Sequence, residues 1–267
     1  QGGTDSATVT VAVTGTNDAP VAADDATSHG TTSLGLATSS AFDWESFEIA
    51  GETYLAVANQ FNGSSHNINS AIYHWDGSQF ALIQSIPTIG ATDWESFEIG
   101  GKTYLAVANS YDGSFYANIS SAIYEWDTAT GQFALVQSIL TDGASDWESF
   151  EIAGETYLAV ANQLDNTTRN VDSVIYKWDT ATSQFTSVQN IPTNGAQDWE
   201  SFQINGETYL AVANNFDDST GNISSVVYKW DTATSQFTSV QSIATNGIAG
   251  WESFEIAGET YLAAANS

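Results

Sequence analysis

Residues 43–59 read DWESFEIAGETYLAVAN. Between Trp44 and Ile49 apolar and polar residues nearly alternate, the pattern of a β-strand with one buried face. Ala50-Gly51 follows as a tight-turn pair, and Thr53–Ala58 forms a second strand-like run rich in apolar residues. Downstream, Ala71–Trp75 and Phe80–Ile86 add two more short runs of branched and aromatic residues. No stretch shows a helical period over 11 residues or more. The unit then starts again. Trp-Glu-Ser-Phe recurs at Trp44, Trp94, Trp147, Trp199 and Trp251, at spacings of 50, 53, 52 and 52 residues. The length differences fall between strand-like segments, so the strands keep their register while the loops drift.

Four strands in about 50 residues is the size of a propeller blade. Independent β-sandwiches need roughly 100 residues each. The expected fold is therefore an all-β propeller of four-stranded antiparallel blades, with four complete repeats and a half repeat. The Trp-Glu-Ser-Phe strand is expected innermost. Thr31–Leu36 aligns with Thr238–Ile243, a fourth strand, so an N-terminal strand closing the ring is a further expectation. The fifth copy stops after its second segment, which reads as truncation.

The repeated run DWESFEIxGxTYLAVAN, then SxIYxWD, then QFxxxQxI, closely resembles the epilepsy-associated repeat, also called EPTP or EAR, over residues 41–267. That resemblance implies a β-propeller, usually seven-bladed, that binds protein outside the cell. Residues 1–25 carry a second resemblance. Their alternating Val9, Val11 and Val13 and the run Asn17-Asp18-Ala19-Pro20 look like the end of a VCBS or cadherin-like repeat of a large bacterial adhesin. It implies a β-strand remnant of a sandwich, with Asn17 and Asp18 in a calcium linker. Residues 26–40 read as a connecting segment.

The chain holds 4 Lys plus Arg against 32 Asp plus Glu, a formal charge of -28 over 267 residues. Nucleic acid is a poor partner for such a surface, because nothing displaces counterions from phosphate. Self-repulsion of this size opposes a compact state unless cations screen or bind it. Hard carboxylate oxygens are natural Ca²⁺ ligands. The absence of Cys argues against a small disulfide scaffold but not against export. No apolar run approaches the ~20 residues of a spanning helix. An extracellular or bacterial cell-surface location is expected.

Nothing repeated supports catalysis. There is no Cys, and His29, His66 and His74 stand where other copies have no His. We expect no enzyme. Acidic residues flank the inner-strand Trp of the first four copies, with Asp43, Asp93, Asp146 and Asp198 before it and a Glu after it, while the fifth copy has Gly250 but keeps Glu252. Converging carboxylates either bind a cation or have raised pKa values. For the glutamates, hydrogen bonds to backbone N–H groups or a Tyr hydroxyl of the next blade are the simpler expectation. For the aspartates a channel Ca²⁺ site and plain strand capping stand side by side, calcium being a property of the resembled propellers.

The loops between second and third strands differ most between copies. They bring Phe61, Tyr111, Phe115, Tyr116 and Phe216 near Asp112, Asp165, Asp217 and Asp218. Aromatic residues among adaptable polar ones make a common binding surface. The ligand is expected to be an extracellular protein, with a glycan as the alternative. The repeated Trp and Tyr of the strands are expected between the blades, as core.

Overall fold

The computed structural model describes residues 35–266, and the unit considered is 38–267. The cadherin-like strand, the linker residues Asn17 and Asp18, and most of the Thr31–Leu36 match lie outside the described residues. Among the described residues every regular element is a strand.

Blade 1 consists of β1 (Ala41–Ile49), β2 (Glu52–Asn59), β3 (Asn67–Trp75) and β4 (Phe80–Ile89). Blade 2 has β5 (Ala91–Ile99), β6 (Lys102–Asn109), β7 (Ala117–Asp127) and β8 (Gln132–Asp142). Blade 3 has β9 (Ala144–Ile152), β10 (Glu155–Asn162), β11 (Asp172–Asp179) and β12 (Gln184–Pro192). Blade 4 has β13 (Ala196–Ile204), β14 (Glu207–Asn214), β15 (Ser224–Asp231) and β16 (Gln236–Ala244). β17 (Ile248–Ile256) and β18 (Glu259–Asn266) form the half blade. Each sheet is an antiparallel meander in chain order. First strands of successive blades lie side by side, so Trp-Glu-Ser-Phe is innermost.

The strands run longer than the apolar runs that mark them. β3 begins at Asn67 rather than Ala71, because it pairs with β4 as far as Ile89. Three of the four extra residues, Asn67, Asn69 and Ser70, are polar, and pairing with β4 rather than an apolar run holds them. The hairpin turns follow the sequence: Asn205 (φ 53°) and Gly206 (φ 77°) are both left-handed, the type I′ geometry that matches strand twist.

The core lies between blades. One cluster joins Phe47, Tyr54 and Ile72 of blade 1 to Trp94, Leu105 and Phe133 of blade 2, and equivalent clusters join blades 2 to 3 and 3 to 4. Trp94, Trp147 and Trp199 are 1% exposed, whereas Trp44, with no described blade before it, is 41% exposed. The indole N–H of Trp147 donates to the Val107 carbonyl of the preceding blade at 3.1 Å, and Trp199 does the same to Val160. The expected core role of these aromatics is therefore seen directly.

A polar network fixes the other end of each blade. The Asn59 side chain accepts from the Ser39 N–H and donates to the Asn69 carbonyl. The Ser70 hydroxyl takes the Asn59 N–H and meets Thr88, with both Ser70 and Thr88 buried. Asn109, Asn162 and Asn214 repeat the arrangement. A buried amide and two hydroxyls with every bond made fix strand register more narrowly than apolar packing does.

Candidate functional site

The acidic residues of the first strands form a two-tier ladder that runs from blade to blade. In the upper tier each Asp accepts from the backbone N–H of the next Trp. Asp43 meets Trp94 at 3.3 Å, Asp93 meets Trp147 at 2.9 Å, Asp146 meets Trp199 at 2.9 Å and Asp198 meets Trp251 at 2.8 Å. In the lower tier Glu45, Glu95, Glu148 and Glu200 accept from the N–H of Ser96, Ser149, Ser201 and Ser253. The innermost strands of neighbouring blades are thus joined by side chain to main chain bonds. This is the bonding expected of the glutamates, and the aspartates share it.

Burial pushes these carboxyls upward, because low dielectric disfavours the charged form. Asp93 and Asp146 lie well above the ordinary range, raised first by burial and then by neighbouring carboxylates. Burial also holds Glu148 well above it. Glu95 and Asp198 are each pushed up to about 7, again chiefly by burial. Asp43 and Glu45, on the more open first blade, are raised by the same cause. One oxygen of each ladder carboxylate serves an N–H group. The donor chemistry suits a hard cation, but among the described residues no three His, Asp or Glu side chains converge into a metal-binding cluster.

At the loop end the ladder opens into a pocket of about 330 Å³. Two sets of equivalent positions line it. Two residues before each Trp stand Phe42, Thr92, Ser145 and Gln197, and directly after each second strand stand Gln60, Ser110 and Gln163. His66, Tyr111 and Tyr116 complete the wall. No lining residue is acidic or basic apart from the imidazole of His66, in a chain of charge -28. The lining differs from blade to blade, while the Trp-Glu-Ser-Phe strand one step deeper repeats. Sequence reading missed Gln60, Gln163, Gln197, Thr92 and Ser145. The available signal was their variation beside an otherwise unvarying motif.

The loop residues expected to bind a ligand take several places. Phe61 packs on His66 at 4.6 Å, His66 on Tyr111 at 4.9 Å and Tyr111 on Tyr116 at 4.4 Å, measured between ring centroids. Phe216 lies under the Arg169 guanidinium at 5.5 Å. Phe61 with His66 and Tyr111 with Tyr116 pair within their own loops, the His66–Tyr111 and Arg169–Phe216 contacts bridge neighbouring blades, and Tyr111 and Tyr116 also reach the pocket. Phe115 is exposed. Asp112, Asp165 and Asp217 cap their own loops, each accepting from the N–H groups two and three residues on. Hydroxyl bonds from Thr167 and Ser219, with those N–H bonds, hold Asp165 and Asp217 below the usual carboxylate range. Asp218 clasps the preceding loop through Thr168 and the Arg169 N–H. The loop acids therefore hold the face in shape, and the pocket wall is built mainly from neutral side chains.

Fold and site together define a repeat-built β-propeller with an acidic channel and a neutral, variable mouth. The chain belongs to the EPTP domain family, whose pattern matches residues 36–76, 79–127, 132–179 and 184–231. It is 42% identical over 147 residues to the thrombospondin-type laminin G domain and EAR repeat-containing protein of Mus musculus, covering 55% of this chain and 22% of that protein. It is 26% identical over 206 residues to leucine-rich repeat LGI family member 3 of Macaca fascicularis, covering 76% of this chain and 33% of that protein. The match thus takes up a third or less of these relatives. Among solved structures, the exo-β-1,3-galactanase of Phanerochaete chrysosporium superposes with TM-score 0.51 at 15% identity, over 80% of this chain and 55% of that one. The periplasmic gluconolactonase of Pseudomonas aeruginosa gives TM-score 0.51 at 15% identity, over 73% and 52%. Likeness at this identity speaks for the fold alone.

Proposed function

We propose that this chain is an extracellular protein-binding module that takes its ligand on the loop face, at the mouth of the channel. The observation that carries the reading is the variation of the mouth. Where blades are nearly copies of one another, a ring of positions that changes from Phe to Thr, Ser and Gln is where individuality resides. A concave wall of neutral amides, hydroxyls and aromatic rings satisfies a protein ligand's polar groups without a large desolvation cost. Membership in the EPTP family supports the same reading, and no catalytic role is assigned to any residue.

A bacterial adhesin as the parent protein rests on the resemblance of residues 1–25. Calcium dependence rests on the donor chemistry of the ladder. The glycan alternative draws on Tyr111 and Tyr116 beside glutamine amides, a composition that also suits sugars. An array of extracellular domains probed beside a glycan array separates the two. A protein ligand whose binding drops at least about tenfold in Gln163→Arg, with melting temperature unchanged, supports the proposal. Binding to glycans alone rejects it.

A further inference from the structure

The outer strand of each blade is the edge of its sheet, with a row of backbone groups facing away from the third strand. At one place in that edge the four blades differ. Pro87 and Pro192 occupy equivalent positions in blades 1 and 3, where Leu140 stands in blade 2 and Ala244 in blade 4. Proline lacks an N–H, so it is accepted in a strand only where that N–H points away from the partner strand. Pro87 lies opposite Asn69, as Leu140 lies opposite Ser120. The N–H of Leu140 therefore faces the open edge, and by the two-residue alternation of a strand so does that of Ser138.

The edge already accepts an amide. The Gln84 side chain of blade 1 gives its N–H to the Phe133 carbonyl at 2.8 Å and takes the Phe133 N–H at 2.7 Å. Gln137 does the same to Phe185, and Gln189 to Phe237. A primary amide paired with one residue's N–H and C=O copies what a neighbouring strand does. Past Phe133 the copy stops, and Leu135 faces the open edge two residues on.

Two outer strands lack proline, and blade 2 sets two exposed leucines along its edge where blade 4 has the single Val240. Leu135 is 59% exposed and Leu140 64%, and β8 is, with β7, the longest strand described, at 11 residues. In blade 4 the equivalents are Ser239 and Ala244. No charged residue stands between Asp127 and Asp142, which bracket the edge with carboxylates in a strongly acidic chain. Natural sheets blunt long edges with proline, charge or brevity, as blades 1 and 3 do here.

We propose that the edge of β8 from Leu135 to Asp142 is a strand-addition site for an extended peptide segment of a partner protein, with apolar residues at alternate positions and basic residues at its ends. The main chain pairs with Leu135, Ser138 and Leu140, the apolar side chains cover Leu135 and Leu140, and the basic ends meet Asp127 and Asp142. This site is on the rim and independent of the channel mouth.

The test uses the whole chain and the labelled peptide Lys-Thr-Val-Thr-Val-Thr-Val-Thr-Lys, read by fluorescence anisotropy and by amide hydrogen exchange. Binding with added protection at Leu135, Ser138 and Leu140 is expected. A peptide N-methylated at alternate residues should not bind. Leu140→Pro copies blades 1 and 3, so it should keep its melting temperature while affinity falls at least about tenfold. Leu140→Lys leaves the N–H in place and should weaken binding less than the proline does. Absence of binding overturns the proposal, as does equal binding by Leu140→Pro. Concentration-dependent self-association of the wild type that Leu140→Pro abolishes also overturns it, because a second copy then fills the edge.

Discussion

Glu95 sits on the innermost strand of blade 2, holds the N–H of Ser149 and is half-buried. Raising its carboxyl from 4.5 to about 7 corresponds to about 3 kcal/mol of differential stability between its protonation states. Because the folded value lies above the unfolded one, its stabilisation is complete below pH ~4 and is lost as pH rises through about 7. Asp198 follows the same course, and the directions for Asp93, Asp146 and Glu148 agree. The turn acids Asp127, Asp179 and Asp231 act oppositely. Their carboxyls are lowered by backbone N–H and threonine hydroxyl bonds, so protonating them below pH ~4 costs stability. In chelator, melting temperature is expected to peak near pH 4–5 and to fall by at least roughly 5 °C towards pH 8. Glu95→Gln keeps the acceptor oxygen without the charge and should flatten that slope. A slope unchanged in Glu95→Gln would assign it to surface repulsion alone.

At the scale of the element, turn chemistry makes separate demands. The β9–β10 hairpin places Ala153 at φ 53°, where blade 4 has Asn205 at the same angle. A left-handed alanine costs roughly 1–2 kcal/mol, and asparagine tolerates that region better. Ala153→Asn should therefore raise melting temperature by roughly 2–4 °C in a domain of this size. Gly90 is the opposite case. It has φ 56°, and a Cβ there would lie 2.3 Å from the Tyr111 carbonyl oxygen. Gly90→Ala should lower melting temperature strongly or prevent folding, and a melting curve like wild type would contradict the close approach. Gln137→Ala removes both bonds to Phe185 and should cost about 1–3 kcal/mol, read from denaturant midpoints.

These same elements show how far sequence reaches. The strands, hairpins and blade register were legible because period-two patterning and Gly-containing turns are local. The ladder was half legible: acidic pairs around each Trp were plain, but their N–H partners lie about 50 residues away, one blade on. The loop aromatics read as a surface because composition alone cannot tell a ring that stacks on the next loop from one that faces solvent. Gln60, Gln163 and Gln197 were missed as site residues, since their variation beside a repeated motif says nothing of a pocket until the fold brings equivalent positions together.

For the whole molecule, the ladder joins blades by half-buried carboxylates with raised pKa values, which protons or cations can neutralise. If Ca²⁺ takes that part, a ligand bound only by the native state adds RT ln(1 + [L]/Kd), or ~2.7 kcal/mol at 100-fold excess. Thermal unfolding at pH 7.5 should then shift up by roughly 5–10 °C between EDTA and millimolar Ca²⁺. Asp93→Asn with Asp146→Asn should shrink the shift. Equal melting temperatures in both buffers would leave the ladder to protons alone.

The ladder and the contacts between loops tie neighbouring blades together, and the mouth beside them is the part of the molecule that varies. The most direct test of a protein-binding mouth is binding of the chain and its Gln163→Arg variant to an array of extracellular domains. The expected result is a saturable protein ligand for the wild type and at least about tenfold weaker binding by the variant at unchanged melting temperature. No protein ligand, or one that binds the variant equally well, would contradict the account.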